Sequence, residues 1–415
     1  MTRTRKPPTG GAKQNAMANG LWLDKQDAAS RRAVDLVLDL MAIPGTSGQE
    51  GRAVEYITNR LHGAGVAENC IKTDQAHRRS PLKGEVGNLV CKLPGTFRGP
   101  RRLLMAHIDT VPLCVGARPT VDGTLIYSTD STTGVGADNR AGAAVVLNAA
   151  LEIIEKDIPH PPLTFFWPVQ EEVGLHGVQH ATLGMLGKPR LAFNFDGGSP
   201  ERLTIGATGA YRLKILVEGI ASHAGGAPEK GVSAIAIAAL AIADLQRNGW
   251  HGDIRRKNKH GTSNIGYVSG GGAINVVADR VEIRAEARSH DSKFRLAIAE
   301  AIEKAFRRAV REVRSSTGLR GNMHVERRLD YDAFCLDQDE PCVIAAEQAV
   351  RDSNGKPVRA ISNGGLDANW MTARGIPTIT AGCGQRNVHT TGEQLDLPEF
   401  LLACRVGLKM ATGSG

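Results

Sequence analysis

The chain has 415 residues, 41% hydrophobic residues and a formal net charge of +8 at pH 7. That length exceeds what one hydrophobic core usually supports, so two domains are expected, and the apolar content excludes a largely disordered chain. The positive charge would suit an anionic partner, but aromatic residues make up only 4% of the chain and leave little for base stacking, so specific nucleic-acid recognition is not expected.

A basic polar segment, residues 1–24, opens the chain and is predicted to be a disordered arm. Its first 20 positions contain no acid and four basic residues: Arg3, Arg5, Lys6 and Lys13. They also contain no apolar stretch of the kind found in a secretory signal. The seven cysteines are scattered and odd in number, which favours reduced thiols and a cytoplasmic location.

Residues 25–207 are predicted to form the first part of an α/β catalytic domain. Short apolar runs bounded by turns are typical of buried strands, and longer periodic segments are typical of helices. The expected elements are helices at 25–42 and 50–63, strands at 87–93 and 102–106, a loop to 134, a helix to 156 after a glycine-rich turn, and strands at 163–167 and 191–195 around a helix from about 175.

The pattern changes over residues 208–328, which are predicted to be a separate inserted α+β domain. Residues 211–217 and 281–287 alternate between apolar and polar side chains, and this alternation predicts an antiparallel sheet with one covered face and one wet face. Helices are expected near 231–247 and 292–313. The apolar run at 234–243 is too short to span a bilayer, so no membrane contact is expected.

Basic residues of the inserted segment lie in two groups, Arg255–Lys259 and the set Arg307, Arg308 and Arg311. The second group is interpreted as the solvated face of an amphipathic helix. Residues 329–415 then resume the α/β pattern, with helices near 340–352 and 366–374 and strands near 357–361 and 376–380. The catalytic domain is therefore predicted to be discontinuous.

Five side chains of metal-binding types occur in order along the chain, each where a strand is expected to end. They are His107, Asp138, Glu172, Asp196 and His389. A catalytic zinc ion takes about three protein ligands and leaves a position for water, and two ions roughly 3.5–4 Å apart can share a carboxylate. Five ligands therefore serve two ions if one carboxylate bridges them.

Two more acids accompany these ligands. Asp109 lies two residues after His107, on the same side of an extended strand, where its carboxylate can accept the imidazole N–H. Glu171 directly precedes Glu172 and is the expected general base. Each residue taken singly is equally well explained as a solvated or hydrogen-bonded side chain. Their common position beyond the carboxyl ends of buried strands favours one site.

The motifs His-x-Asp, Gly-Ala-Asp-x-x-Ala-Gly, Glu-Glu-Val-Gly, Phe-Asp-Gly-Gly and Val-His-Thr occur in that order within residues 25–405. This order resembles the two-zinc peptidase family that includes peptidase T, carboxypeptidase G and the aminoacylases. The resemblance implies a two-domain α/β fold, with a mixed sheet flanked by helices and an inserted α+β lid and dimerisation domain. It also implies a role for each residue: His107 and Asp196 on one zinc, Glu172 and His389 on the other, Asp138 bridging, Asp109 orienting His107, and Glu171 as base.

Finer features resemble the peptidase T-like, tripeptide aminopeptidase branch. The ligand at position 196 is Asp, as is common in aminopeptidase and dipeptidase members, and residues 222–231 resemble that branch. The resemblance implies that His223 polarises the scissile carbonyl and that Asn275 and Arg288 hold the substrate. From the residues alone, Asn275 is equally well explained as the cap of a turn, and Arg288 as the end of a strand.

The predicted function is hydrolysis of short peptides by an aminopeptidase, with two divalent ions lowering the pKa of a shared water and Glu171 taking its proton. Zinc is the expected metal, with Mn²⁺ and Co²⁺ as alternatives. A carboxypeptidase or N-acyl amino acid deacylase of the same family, and a catalytically silent peptide-binding protein, remain alternatives. The resemblance also implies a homodimer through the inserted domain.

Overall fold

A computed structural model describes residues 22–413, which divide into two compact units. The first unit contains residues up to Ile205 together with Leu336–Ile361 and Leu366 onwards. The second unit contains Gly206–Cys335 and Ser362–Gly365. It therefore begins at residue 206 rather than the predicted 208, and extends to 335 rather than 328. Arg3, Arg5, Lys6 and Lys13 of the predicted arm lie outside the described residues.

Helices are present in both units, and none among residues 22–413 is long and apolar enough to cross a membrane. Those with fully described bounds are α1 (Ala28–Ala42), α2 (Gly51–Gly63), α3 (Ala76–Arg79), α4 (Ala137–Glu155), α5 (His176–Gln179), α6 (Ala234–Arg247), α7 (Ser292–Glu312), α8 (Pro341–Asp352), α9 (Asp367–Ala373) and α10 (Leu397–Thr412).

The strands form three sheets. They are β1 (Ile71–Thr73), β2 (Leu89–Leu93), β3 (Arg102–Met105), β4 (Pro119–Asp122), β5 (Leu125–Ser128), β6 (Leu163–Trp167), β7 (Leu191–Phe195), β8 (Arg202–Ala207), β9 (Gly209–Glu218), β10 (Gly252–Arg256), β11 (Lys259–Gly270), β12 (Arg280–Ser289), β13 (Asn322–Tyr331), β14 (Phe334–Cys335), β15 (Val358–Ser362), β16 (Thr378–Ala381), β17 (Gln385–Arg386) and β18 (Gln394–Asp396).

The first unit is built on a mixed sheet with the strand order β1-β2-β6-β3-β7-β16-β8. Its centre is parallel: β3 pairs with both β6 and β7, so that Leu104 lies opposite Phe165 and Phe193, and β16 continues the parallel order beside β7. These central strands are buried and largely apolar, as parallel strands covered on both faces require. The predicted mixed α/β fold is confirmed.

Helix α4 is the buried helix of this unit and packs against α1 and α10. Almost all of its residues are buried because its sequence is a run of alanine, valine and leucine rather than an amphipathic pattern. Helix α1 begins at a cap in which Asp27 accepts the backbone N–H of Ser30. The helix therefore begins three residues after the predicted start at residue 25.

Two local predictions are wrong. The single helix expected from about residue 175 is instead the four-residue α5 followed by a 3-10 turn at Leu183–Leu186. Gly177 lies so close to the Val169 carbonyl that an added Cβ would meet its oxygen at 2.1 Å. The backbone is therefore closely packed at a position where a longer helix was expected. The predicted loop to residue 134 contains the hairpin β4–β5, whose strands are short and only partly buried.

The second unit has one antiparallel sheet with the order β10-β11-β12-β9-β13. Helices α6 and α7 pack against it, and their apolar residues form a buried core with alternate residues of the strands, including Ile215, Ile283, Ile298 and Phe306. Most of the remaining positions on β9 and β12 are polar, as the alternation predicts, and Leu216 is an exception. Arg307, Arg308 and Arg311 are exposed, in agreement with a solvated helix face.

Candidate metal centre

The first unit brings the carboxyl ends of three parallel strands to one edge of its sheet. His107 and Asp109 follow β3, Glu171 and Glu172 follow β6, and Asp196 directly follows β7. Because parallel strands in register end at the same edge, side chains just beyond them converge. The sheet therefore places five of the predicted site residues together.

Asp138 reaches the same place from the first turn of α4 and not from the end of a strand, contrary to the prediction. Gly136 before it has a φ of 76°, a left-handed conformation that glycine adopts without steric cost. The Asp138 carboxylate faces two imidazole rings. Its Oδ1 lies 3.4 Å from His107 Nε2, and its Oδ2 lies 3.2 Å from His389 Nε2. Each carboxylate oxygen thus faces a different histidine, as expected of a ligand that two metal ions share.

The other pairs complete two ligand groups. His107 Nε2 lies 3.9 Å from Asp196 Oδ2, and His389 Nε2 lies 3.0 Å from Glu172 Oε1. Ligand atoms that are each 2.0–2.1 Å from a tetrahedral zinc ion are about 3.3 Å apart. Within each of the groups His107–Asp138–Asp196 and Asp138–Glu172–His389, the ligand atoms lie within 4.8 Å of one another. The residues present therefore fit two divalent ions with Asp138 between them.

Asp109 is buried at the centre of the hydrogen bonds around this site. Its Oδ1 lies 3.4 Å from His107 Nδ1 and accepts the backbone N–H of Glu171 at 3.0 Å. Its Oδ2 accepts the backbone N–H of Glu172 at 3.1 Å and the hydroxyl of Ser47 at 2.6 Å. Asp109 thus contacts the far side of one ligand ring and also fixes the turn that carries the second acid pair.

The acids of the site repel one another. Burial, followed by the charge of Asp138, raises the pKa of Asp196 to about 7. Burial also raises the pKa of Glu171 well above its usual value, and that of Glu172 despite its contact with His389. Buried carboxylates that raise one another's pKa lack enough positive charge nearby. A bound cation supplies that charge, so the electrostatics favour a metal site.

The pKa values of the two histidines are raised as well, which for an imidazole favours the charged form. Hydrogen bonds with Asp138 and then Glu172 raise the pKa of His389 to about 10. Burial disfavours the charged form of His107, but Glu171 and Asp109 outweigh it and raise the pKa of this ring as well. Because an imidazole nitrogen must lose its proton before it can bind a metal, metal uptake at this site would release protons.

Glu171 also lies within reach of a metal position. Its carboxylate, His107 and Glu172 have ligand atoms within 4.8 Å of one another. Proximity therefore permits Glu171 to act either as a base or as a ligand. These two roles differ in the metal content of a variant that lacks the carboxylate.

Several polar side chains around the site were not predicted from the sequence. Those that are at least nine-tenths buried are Glu50, Arg140, Asp367, Gln385 and Glu393. Glu50 accepts the backbone N–H groups of Gly48 and Gln170, at 2.8 Å and 3.0 Å. Neither carboxylate oxygen of Asp367 has a hydrogen-bond partner among residues 22–413, and burial raises the pKa of this acid to about 8. Nothing in the sequence distinguishes these five residues from exposed polar residues.

The three predicted substrate-binding residues all lie in the second unit. His223 is exposed, and its Nδ1 accepts the backbone N–H groups of Gly225 at 3.1 Å and Gly226 at 2.8 Å. Asn275 is also exposed, and its backbone carbonyl accepts a hydrogen bond from the Ala224 N–H at 2.9 Å. The structure therefore brings His223 and Asn275 close together.

Arg288 lies on β12 and is paired with Glu286 through two hydrogen bonds, at 3.0 Å and 3.1 Å. This pair raises the pKa of Arg288 despite its partial burial. The Arg288 guanidinium is therefore charged and is held in place by Glu286, unlike a mobile surface side chain.

Comparison with known families gives two matches. Residues 205–314 match the M20 peptidase dimerisation domain. Residues 115–198 match the domain described as M42 glutamyl aminopeptidase. The first match lies almost wholly within the second unit, and the second includes Asp138, Glu172 and Asp196.

Relatives match along most of the chain. The uncharacterized protein YqjE of Bacillus subtilis is 30% identical over 373 residues, which are 89% of this chain and 95% of that protein. The crystal structure of a tripeptidase from Staphylococcus aureus is 30% identical with a TM-score of 0.80, covering 92% of this chain and 97% of that one. That of aminopeptidase PepT from Bacillus cereus is 30% identical with a TM-score of 0.77, covering 92% and 98%.

Proposed function

The chain belongs to the M20 family of metallopeptidases, and on that premise we propose that it is an aminopeptidase that acts on short peptides, above all tripeptides. Two solved structures described as a tripeptidase and as aminopeptidase PepT support this assignment, because each is 30% identical over 92% of this chain. The observation that carries the hydrolase assignment is the position of Asp138, with one carboxylate oxygen toward each of two histidines.

In this proposal His107 and Asp196 would hold one divalent ion, Glu172 and His389 would hold a second, and Asp138 would be shared by both. Mixed nitrogen and oxygen ligands suit zinc, with Mn²⁺ and Co²⁺ as alternatives. When bound, such a pair of ions lowers the pKa of a water molecule and polarises a carbonyl group.

Glu171 is the proposed general base. Its carboxylate takes a proton from the attacking water and passes it to the nitrogen of the leaving amine. Glu171 accepts this proton only when its carboxylate is ionised, and the positive charge of two bound ions would favour that form. Asp109 keeps the base in place because it accepts the Glu171 backbone N–H.

His223 is proposed to donate a hydrogen bond to the carbonyl oxygen of the substrate. Its Nδ1 accepts two backbone N–H groups, so the proton of the neutral ring must lie on Nε2. An Nε2–H donor is what stabilisation of a developing oxyanion requires. Asn275 and Arg288 are proposed to bind polar or anionic groups of the same substrate.

A panel of blocked substrates tests the aminopeptidase assignment. We expect kcat/KM for a free tripeptide such as Ala-Ala-Ala to exceed that for its N-acetylated form by at least about 100-fold, because a site that pairs a charged amine rejects an uncharged analogue. C-terminal amidation should have a smaller effect. Equal cleavage of the acetylated tripeptide would contradict the proposal, and preference for N-acetyl amino acids would favour a deacylase.

The second unit is proposed to form a homodimer through the outer edge of β11. Strand β10 pairs with β11 only as far as Ser263, and among residues 22–413 no strand pairs along the outer side of 264–270. This edge carries no charged residue and exposes 42% of Tyr267 and 51% of Val268. The other edge strand, β13, carries Glu326, Arg327 and Arg328. Charge on an edge strand discourages pairing, so the uncharged edge is the one suited to a second copy.

Substitution of Val268 by Asp tests this interface. We expect the dissociation constant of the dimer to rise at least about 10-fold, because the added charges would face an apolar partner edge or each other. Sedimentation velocity over a concentration series measures the change. Ile344→Asp is the matched control, since Ile344 is 52% exposed in the first unit. A wild-type monomer, or equal dissociation constants for the two variants, would contradict the proposed interface.

A further inference from the structure

Three polar residues in the segment from the start of β17 to the start of β18 are spaced four positions apart: Gln385, His389 and Glu393. The middle one is a predicted metal ligand, and the two that flank it are buried. Both flanking side chains reach the turn around Asp138, which is about 250 residues away in the sequence. One short segment therefore contacts the turn that carries the proposed bridging ligand from three positions.

Glu393 contacts the backbone on the N-terminal side of that turn. Its side chain is 2% exposed. Oε2 accepts the N–H of Gly136 at 2.8 Å, and Oε1 accepts the N–H of Asp138 itself at 3.0 Å. The thiol of Cys114 lies 3.5 Å from Oε2. One carboxylate thus accepts two hydrogen bonds from one turn, which fixes the rotation of that turn as well as its position.

Gln385 contacts the other side of the same turn. Its amide donates to the side-chain oxygen of Asn139 at 2.8 Å and to the carbonyl of Ala137 at 3.3 Å. Its oxygen accepts the N–H of Gly197, next to Asp196, at 2.9 Å. Gln385 thus connects the two turns that carry the proposed ligands, whereas Glu393 contacts only one of these two turns, that of Asp138.

The space that Glu393 occupies depends on the absence of a side chain at position 134. A Cβ built on Gly134 would lie 2.7 Å from Glu393 Oε2 and 3.1 Å from the sulfur of Cys114. Gly134 has no positive φ that would require glycine for the backbone alone. The backbone oxygen of Thr390 would also lie 3.1 Å from this Cβ, so a side chain here has little space unless the Glu393 carboxylate moves.

We propose that Glu393 is a positioning residue for the metal centre, which holds the Asp138 backbone so that one carboxylate oxygen faces each histidine. This inference rests on the proposed role of Asp138 as the shared ligand. Removing the two backbone contacts leaves the turn free to rotate, so that Asp138 can serve one ion well but not both. The consequence is weaker metal binding and not the loss of a proton-transfer group.

Mn²⁺ titration of the metal-stripped full-length protein tests this role. Free Mn²⁺ is measured by electron paramagnetic resonance, so the readout does not require a substrate. We expect Glu393→Gln to weaken binding by about 10- to 100-fold, the usual effect of removing a group that supports a ligand. At saturating Mn²⁺, kcat should recover most of its wild-type value. Glu399→Gln, in the first turn of α10, is the charge-matched control and should bind as the wild type does.

Gly134→Ala provides a second variant that keeps the carboxylate but displaces it. This variant should also weaken Mn²⁺ binding. If Glu393→Gln does not fold, the Mn²⁺ affinity of Gly134→Ala tests the proposal in its place. Wild-type affinity in the folded variants would overturn the proposal, even if their melting temperatures fall. Failure of the wild-type protein to cleave tripeptides would overturn the proposed function alone, because the affinities would still be measured.

Discussion

Replacing Glu171 with Gln is expected to lower kcat for a tripeptide by about 10²–10⁴-fold, the usual contribution of a positioned general base. The amide cannot take a proton from water, whereas the shape of the side chain is retained. Because Asp109 holds this residue through its backbone N–H, the turn itself should not move. Both metal ions should remain bound if Glu171 is a base.

The same variant distinguishes the two possible roles of Glu171, that of a general base and that of a metal ligand. Glu171 lies close enough to His107 and Glu172 to bind a metal, so the metal content of Glu171→Gln must be measured together with its activity. Glu172→Gln is the informative comparison and should lose metal. Near-wild-type kcat in Glu171→Gln would contradict the base assignment, and a loss of one metal equivalent would identify Glu171 as a ligand.

Replacing Asp138 with Asn should have a still larger effect, because it affects both ions. The amide presents one oxygen, so one of the two histidine-facing positions becomes an N–H₂ group that cannot bind a cation. We expect at most one tightly bound ion per chain and a loss of activity of about 10⁴-fold or more, since the water loses both its activation and its position.

Metal analysis after dialysis, with kcat/KM for the same tripeptide, measures the effect of Asp138→Asn. Asp122→Asn, at the exposed end of β4, is the control for the change of Asp to Asn and should keep both its metal and its activity. Two tightly bound ions in Asp138→Asn would show that Asp138 is not shared.

Much of the fold of the first unit follows from local sequence. Apolar runs such as 163–167 and 191–195 predict buried strands, and both occur with the predicted bounds. These strands are short and uniformly apolar, so local pattern and tertiary environment agree. The helix expected from about residue 175 ends after four residues and is followed by a 3-10 turn, an end that periodicity alone does not indicate. The hairpin β4–β5 was missed because its strands are four residues long and only partly buried.

The predicted ligands were identified by chemical type, since few residues other than His, Asp and Glu can hold these cations. The groups that support them have no such signal. Glu50 bonds to Gln170 across 120 positions, and Glu393 bonds to Gly136 across 257. In the sequence, a Glu that will be buried cannot be distinguished from an exposed one. Only the folded chain shows which backbone N–H groups donate hydrogen bonds to its carboxylate. Likewise, the lack of space for a side chain at Gly134 becomes apparent only in the folded structure, where Glu393 lies beside it.

The central claim is that Asp138 lies between two metal ions. The most direct measurement is equilibrium loading of the metal-stripped protein with Mn²⁺, followed by metal analysis and electron paramagnetic resonance of the loaded form. Ions that share a carboxylate are about 3.5–4 Å apart, close enough for their electron spins to couple. We predict two Mn²⁺ per chain with a spin-coupled spectrum. One ion per chain, or two ions with independent spectra, would contradict the claim.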